Sequence, residues 1–129
     1  MLTRLQLMRF NCPMEFSDLT SLFCDAAIFI FYVSTAMKYA RVEDLPVWKV
    51  AADLGAIMID WTDNPLFRGT GDLADQLQRA ALSISNNIAE GFERGTTKEL
   101  INFLYYAKGS AGEVRSMLAV MKRTERFRL

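Results

Sequence analysis

The residues that could do chemistry are few, and their types argue against catalysis. The chain of 129 residues contains no histidine, so the commonest general base and the commonest metal ligand are both missing. Glu90 and Glu113 could imitate a carboxylate pair, but di-iron bundles use four glutamates and two histidines. Three serines have no base to activate them: Ser83, Ser85 and Ser110. We therefore expect a protein that is not an enzyme, with no catalytic residue, no cofactor and no metal site.

The cysteines and the glycines lead to the same conclusion. Cys12 and Cys24 could form a disulfide, but two cysteines without histidine make no zinc site. Unpaired thiols in a reducing cytoplasm are the simpler interpretation, so we expect a cytoplasmic protein. Residues 91–95 (GFERG) are not a phosphate loop, because no strand precedes them and no Lys-Ser/Thr follows.

Two stretches of the chain have the periodicity of amphipathic helices, and these are the first two predicted elements. Val42 to Trp61 is predicted as a helix, with Asp44 as its cap and Pro46 in its first turn. Its apolar stripe is Val47, Ala51, Leu54, Met58 and Trp61. Asp72 to Glu90 is the second predicted helix, and Gly91 and Gly95 mark its exit. Its apolar stripe is Leu73, Leu77, Ala80, Ile84 and Ile88.

The third predicted helix, Thr96 to Met121, has the strongest local signal. Thr96 and Glu99 fit a capping box. Gly109 and Gly112 lower helix propensity, and we expect close approach of a neighbouring helix there, or a kink. The apolar seam is Leu100, Leu104, Ala107, Ala111, Val114, Leu118 and Met121. No segment alternates with the period of a strand, so the sequence predicts an all-α fold.

Polar residues late in the second helix indicate a specific contact. Asparagine is a weak helix former, so we expect a hydrogen bond, supplied by a helix–helix or subunit contact, to hold at least one of Asn86 and Asn87. Gln76 and Ser83 could share the same polar layer. Solvated side chains remain the alternative interpretation, more so for Asn86 than for Asn87.

The first thirty-six residues differ from the rest, with an uncharged apolar run at residues 26–33 (AAIFIFYV). This run is too short to cross a bilayer, which needs about 20 apolar residues. It is compatible with a signal-like segment, with part of the native protein, or with an upstream extension before a true start at Met37. We favour the last, which gives an N-terminal extension at residues 1–36 and a helical bundle domain at residues 37–129.

Three motifs, in order, resemble the bacterial four-helix bundle family first noticed in intervening sequences of 23S rRNA. Residues 44–51 (DLPVWKVA) resemble its opening, DLxVWxxA. Residues 75–94 (DQLQRAALSISNNIAEGFER) resemble its central signature, QLxRAxxSIxxNIAEGxxR. Residues 99–113 (ELINFLYYAKGSAGE) resemble its third-helix pattern, EfxxFLxxAxGSxxE. The matches run from Arg41 to about Val120.

The resemblance implies an antiparallel up-down helix bundle in a bacterial, cytoplasmic protein that is not in a membrane. It also implies ring-like homo-oligomers, often pentamers. Accessory proteins of this architecture in diversity-generating retroelements engage nucleic acid, so RNA or DNA and a reverse transcriptase are expected partners. The residues that carry the structural signature are Trp48, Gln76, Ser83, Asn87, Glu90, Gly91, Gly109, Ser110 and Glu113.

The resemblance leaves two functional hypotheses. Net charge is zero, with fifteen basic and fifteen acidic residues, so phosphate binding would need cations gathered on one face. The candidate contacts are Arg79, Arg94, Lys98, Arg115, Lys122 and Arg123. Such binding would be electrostatic and weakly sequence-specific. The alternative is a structural, self-associating protein without a nucleic-acid role.

The chain departs from the family pattern at its end. Members continue into a long fourth helix, whereas only residues 122–129 follow the third seam here. We therefore expect the seam of Leu100, Leu104, Val114 and Leu118 to expose an apolar strip. The segment Leu19 to Met37 either fills that groove or leaves the protein dependent on a partner.

Overall fold

The protein is all-helical over the residues that the structure describes. This computed structural model describes residues 39–127. Within that range there are three α-helices and no strand: α1 (Pro46–Thr62), α2 (Gly71–Glu93) and α3 (Thr97–Met121). Three short 3-10 turns accompany them: Val42–Asp44, Pro65–Phe67 and Glu125–Phe127. The all-α prediction is confirmed for these residues, and none of their helices is long and apolar enough to cross a membrane.

Some predictions fall on the rest of the chain. Three predictions lie outside the described residues: the extension at residues 1–36, the thiols of Cys12 and Cys24, and the filling of the groove by Leu19 to Met37. The boundary between the extension and the bundle domain therefore stays a prediction.

The start of α1 differs from the prediction. Val42–Asp44 forms a separate 3-10 turn, and the N-cap of α1 is Leu45, with no side-chain capping bond, rather than Asp44. The reason is Pro46, whose ring disfavours helical torsions in the residue before it. Leu45 accordingly has extended torsions (φ −65°, ψ 122°). Its side chain is 2% exposed and helps to close this end of the core.

An aromatic cluster forms where α1 ends. Asn64 caps the turn Pro65–Phe67 by accepting the N–H of Leu66 at 3.0 Å. Phe67 packs edge-on against Trp61, with ring centroids 5.0 Å apart. Phe127 lies 5.1 Å from Phe67, which brings the chain after α3 back to the end of α1.

The second helix ends three residues later than predicted. α2 continues to Glu93, and Gly91 lies inside it rather than at its exit. Gly95 does have the left-handed torsion expected of a helix exit, with φ of 71°. Thr96 then caps α3 by accepting the N–H of Glu99 at 3.3 Å, so the predicted cap is confirmed.

Helix α2 packs against both other helices, whereas α1 and α3 make few direct contacts. Leu77, Ile84 and Ile88 of α2 have no exposed surface and form the centre of the core. On the α1 side, the Nε2 of Gln78 donates to the Oγ1 of Thr62 at 2.6 Å. The three apolar stripes predicted from the sequence are all buried or half-buried.

Two predictions about α3 are wrong. The seam does not form an exposed strip, because Leu100, Leu104 and Val114 are buried and Leu118 is half-buried. Helix α2 covers part of this seam by close packing near Gly91. No helix of the described chain packs closely on Gly109 or Gly112, because a Cβ at either position would meet no atom within 4 Å.

Candidate nucleic-acid interface

A chain of hydrogen bonds joins α2 to α3 at the centre of the signature. The side-chain amide of Asn87 donates to the carbonyl oxygen of Ser83 at 2.7 Å and to its hydroxyl at 3.0 Å. The hydroxyls of Ser83 and Ser110 lie 3.0 Å apart, and Ser110 donates to the carbonyl of Tyr106 at 3.2 Å. Each hydroxyl can therefore donate one bond and accept another, which fixes the rotation of α2 against α3. The expectation that a hydrogen bond holds Asn87 is confirmed, but its partner is Ser83 of the same helix and not a residue of another helix or subunit.

Gly91 is where the two helices approach most closely. A Cβ on Gly91 would lie 2.6 Å from the Cβ of Phe103 and 3.2 Å from the Cα of Leu100. These atoms belong to the helix framework of α3 and cannot move aside without moving the helix. Gly91 therefore serves helix packing and not a left-handed cap.

Arg94 links the end of α2 to the aromatic residues of α3. Its guanidinium donates to the carboxylate of Glu90 at 2.6 Å, and this hydrogen bond raises the pKa of Arg94 above its ordinary value. The same guanidinium lies 5.1 Å from the ring centre of Phe103, within cation–π range. Phe103 packs edge-on against Tyr106 at 5.5 Å. Sequence reasoning missed Phe103 and Tyr106, because this contact depends on how α2 and α3 pack.

One comparison decides the family to which the chain belongs. A family model described as 23S rRNA-intervening sequence protein matches residues 43–128, which include all three helices. The chain belongs to the 23S rRNA-intervening sequence protein family. Comparison with curated proteins and comparison with solved structures gave no match.

The remaining signature residues of this family member lie in different environments. Trp48 is half-buried and packs against the core, whereas Glu113 is exposed on α3. Gln76 is also exposed, and its side chain makes no hydrogen bond within residues 39–127. The prediction that Gln76 shares the polar layer with Ser83 is therefore wrong, and Ser110 of α3 takes that place.

The six candidate cations are all exposed, but they lie in three separate regions. Arg94 and Lys98 lie at the turn between α2 and α3. Lys122 and Arg123 lie at the opposite end of α3, since Lys98 and Lys122 are 24 positions apart, or about 36 Å along the axis. Arg79 and Arg115 lie between these ends, on α2 and α3 respectively. One continuous patch of all six is therefore not formed within a single chain.

The described part of this family member contains no cluster of metal-ligating side chains. Within residues 39–127 no group of three or more histidine, cysteine, aspartate or glutamate side chains could hold a metal ion. Ser85 is buried and donates to the carbonyl of Leu82 at 3.0 Å. Every buried side-chain nitrogen or oxygen in this range has a hydrogen-bond partner.

A cleft of about 170 Å³ lies beside the turn between α2 and α3. It is lined by Tyr39, Gly91, Phe92, Gly95, Thr96, Thr97 and Leu100. The hydroxyl of Thr96 already caps α3 by accepting the N–H of Glu99. We assign no ligand to this cleft.

Proposed function

We propose that the protein is a non-catalytic helical module that self-associates and binds RNA through its phosphates. The RNA-binding part of this proposal rests on two exposed cations, one in the second half of α3 and one just after its end. Arg115 and Arg123 are exposed, and no carboxylate within residues 39–127 lies at ion-pair distance from either. Such cations keep their charge available for phosphate oxygens. Membership of a family whose description refers to intervening sequences of 23S rRNA favours RNA over DNA as the partner.

The fold proposed for this module is an antiparallel up-down bundle that a fourth helix completes. The contacts support the antiparallel order of the three described helices, because residue numbers rise along one helix as they fall along the next. On α2 and α3, Ser83 meets Ser110 whereas Gly91 meets Leu100. On α1 and α2, Gly55 faces Leu82 whereas Thr62 meets Gln78.

Self-association is proposed through the outer surface of α3, with a second copy of the chain as the partner. Tyr105, Tyr106 and Val120 expose 59%, 61% and 61% of their surface. Gly109 and Gly112 between them leave the helix backbone open to close approach. Aromatic residues such as tyrosine are enriched at protein interfaces relative to the rest of the protein surface. The number of copies and a reverse transcriptase partner stay predictions.

A structural protein that self-associates without binding RNA is the second candidate. The observation that favours it is Arg94, whose guanidinium is already engaged by Glu90 and by the ring of Phe103. Cations used in this way hold the helices together and are less available for phosphate.

Competition binding separates the two candidates. A labelled single-stranded RNA is titrated with protein at about 50 mM salt, and unlabelled RNAs of unrelated sequence and a matching DNA compete. We expect binding in which the RNA sequences compete within a few-fold of one another, because phosphate contacts carry no sequence information. No binding at this salt would support the structural candidate, and a preference for one sequence of a hundredfold or more would contradict phosphate-based binding.

A further inference from the structure

Three cations of α3 form a straight row along the helix. Lys108, Arg115 and Lys122 are spaced seven residues apart and all are exposed, with Lys122 as the C-cap residue. Seven residues advance a helix by about 10.5 Å and turn it by only about 20° from a whole number of turns. The three therefore define a row about 21 Å long, which we call the basic row. Lys108 is not one of the six candidate cations, although its seven-residue spacing from Arg115 is visible in the sequence.

The acidic residues of α3 lie on the other side of the helix. Glu99 and Glu113 are fourteen residues apart, so they share one side. Glu113 is two residues from Arg115, which places it about 160° away around the axis. Within the described part of the chain, Lys108 and Arg115 have no carboxylate at ion-pair distance. The basic row is thus separated from the acidic side of its own helix.

The polar signature belongs to that acidic side. Ser110, which meets Ser83 of α2, is three residues from Glu113 and hence about 60° from it, but about 140° from Arg115. Arg79 is four residues from Ser83, so it lies on the same side of α2 as this seam. A phosphate chain on the signature side would meet Glu90, Glu99 and Glu113 as well as the cations. The basic row lies away from these three carboxylates.

Further cations follow the basic row beyond the end of α3. Arg123 is exposed, and the guanidinium of Arg126 donates to the carbonyl of Arg68 at 2.6 Å. Phe127 is 7% exposed and packs against Phe67. These contacts hold the turn after α3 against the end of α1, so its charges keep a fixed position relative to Lys122.

We propose that the basic row is the surface that binds the phosphodiester backbone of single-stranded RNA. This inference rests on the proposed RNA-binding function and moves its site away from Arg79, Arg94 and Lys98. Three phosphate contacts on a single strand correspond to a slope of about −2 in a plot of log affinity against log salt concentration, at about −0.7 for each contact. Binding through this row is independent of base sequence, because none of its side chains is placed by a groove-reading motif.

The experiment compares two triple variants that remove the same charge. One replaces the row (Lys108→Gln, Arg115→Gln, Lys122→Gln), and the control replaces exposed cations elsewhere (Lys49→Gln, Arg79→Gln, Lys98→Gln). The probe is a labelled single-stranded RNA of mixed sequence and about 20 nucleotides. At about 100 mM salt we expect the row variant to lose at least about tenfold in affinity and its slope to become shallower by about 2. The control is expected to stay within about threefold of wild type with an unchanged slope.

The outcomes separate the inference from the proposed function. A wild-type protein that does not bind RNA contradicts the proposed function, and the inference fails with it. Wild-type binding that the control variant loses, or that the row variant keeps, overturns the inference alone. If circular dichroism shows that the row variant is unfolded, Arg115→Gln replaces it, with an expected slope change of about 0.7. An unchanged slope in a folded Arg115→Gln protein would likewise overturn the inference.

Discussion

At the scale of single residues, Gly91 shows how one missing side chain sets the distance between two helices. Replacing Gly91 by alanine places a Cβ 2.6 Å from the Cβ of Phe103. Overpacking of this kind costs about 1–3 kcal/mol, and the better helix propensity of alanine returns about 1 kcal/mol. We expect Gly91→Ala to lower the free energy of unfolding by up to about 2 kcal/mol in urea denaturation.

Gly109 supplies the matched control for that prediction. It is helical and exposed, and an added Cβ meets nothing within 4 Å. Gly109→Ala should therefore raise the free energy of unfolding by up to about 1 kcal/mol. Equal effects of the two substitutions would show that the contact between Gly91 and Phe103 does not limit helix packing.

The two neighbouring asparagines differ in the same testable way. Asn87 donates to the carbonyl and the hydroxyl of Ser83, whereas Asn86 is exposed. Alanine gains the same helix propensity at both positions, so the hydrogen bonds decide the difference. We expect Asn87→Ala to be less stable than Asn86→Ala by about 1 kcal/mol, measured by thermal and urea unfolding. Two variants of equal stability would contradict a structural role for the polar seam.

At the scale of the elements, Gly95 determines how α2 turns into α3. Its φ of 71° is unfavourable for residues with a Cβ, so Gly95→Ala should lower the free energy of unfolding by about 1–2 kcal/mol. Gly71 begins α2 and has open space around it, so Gly71→Ala is the control and should be close to neutral. The midpoint of urea unfolding at constant m-value measures both. Equal free energies of unfolding for Gly95→Ala and Gly71→Ala would show that a side chain at position 95 does not strain the turn.

The same elements show what the sequence could predict. The start of α3 was predictable to one residue because Thr96 and Glu99 provide a local signal that does not depend on the rest of the fold. The end of α2 was not, because a glycine pattern does not distinguish Gly91, which packs against α3, from Gly95, which has a left-handed torsion. The start of α1 was missed because Pro46 was treated as a first-turn residue without its effect on Leu45.

The candidate site shows the same difference between features that depend on one helix and features that depend on how two helices pack. The position of Lys108, Arg115 and Lys122 on one side of α3 follows from spacing alone. The ion pair of Arg94 with Glu90 follows from their four-residue spacing, whereas the contact of Arg94 with Phe103 joins two helices whose separation the sequence does not contain. Contacts within a helix were thus accessible from the sequence, and contacts between helices were not.

At the scale of the whole molecule, the outer surface of α3 should control self-association. Replacing Tyr106 and Val120 by serine removes two exposed apolar side chains, so the mass in solution should fall. Ile59→Ser on α1, where 38% of the side chain is exposed, is the control and should leave the mass unchanged. Light scattering coupled to size exclusion measures all three proteins. A double variant with the wild-type mass would place the association surface elsewhere.

Phosphate-based RNA binding by the wild-type protein can be measured across a salt series. The affinity for one single-stranded RNA is measured at several concentrations between about 50 and 200 mM salt, and its logarithm is plotted against the logarithm of salt concentration. We predict a straight line with a slope of about −2 or steeper, since at least three cations contact phosphates. Absence of binding at about 50 mM salt, or an affinity that does not change with salt, would contradict the account.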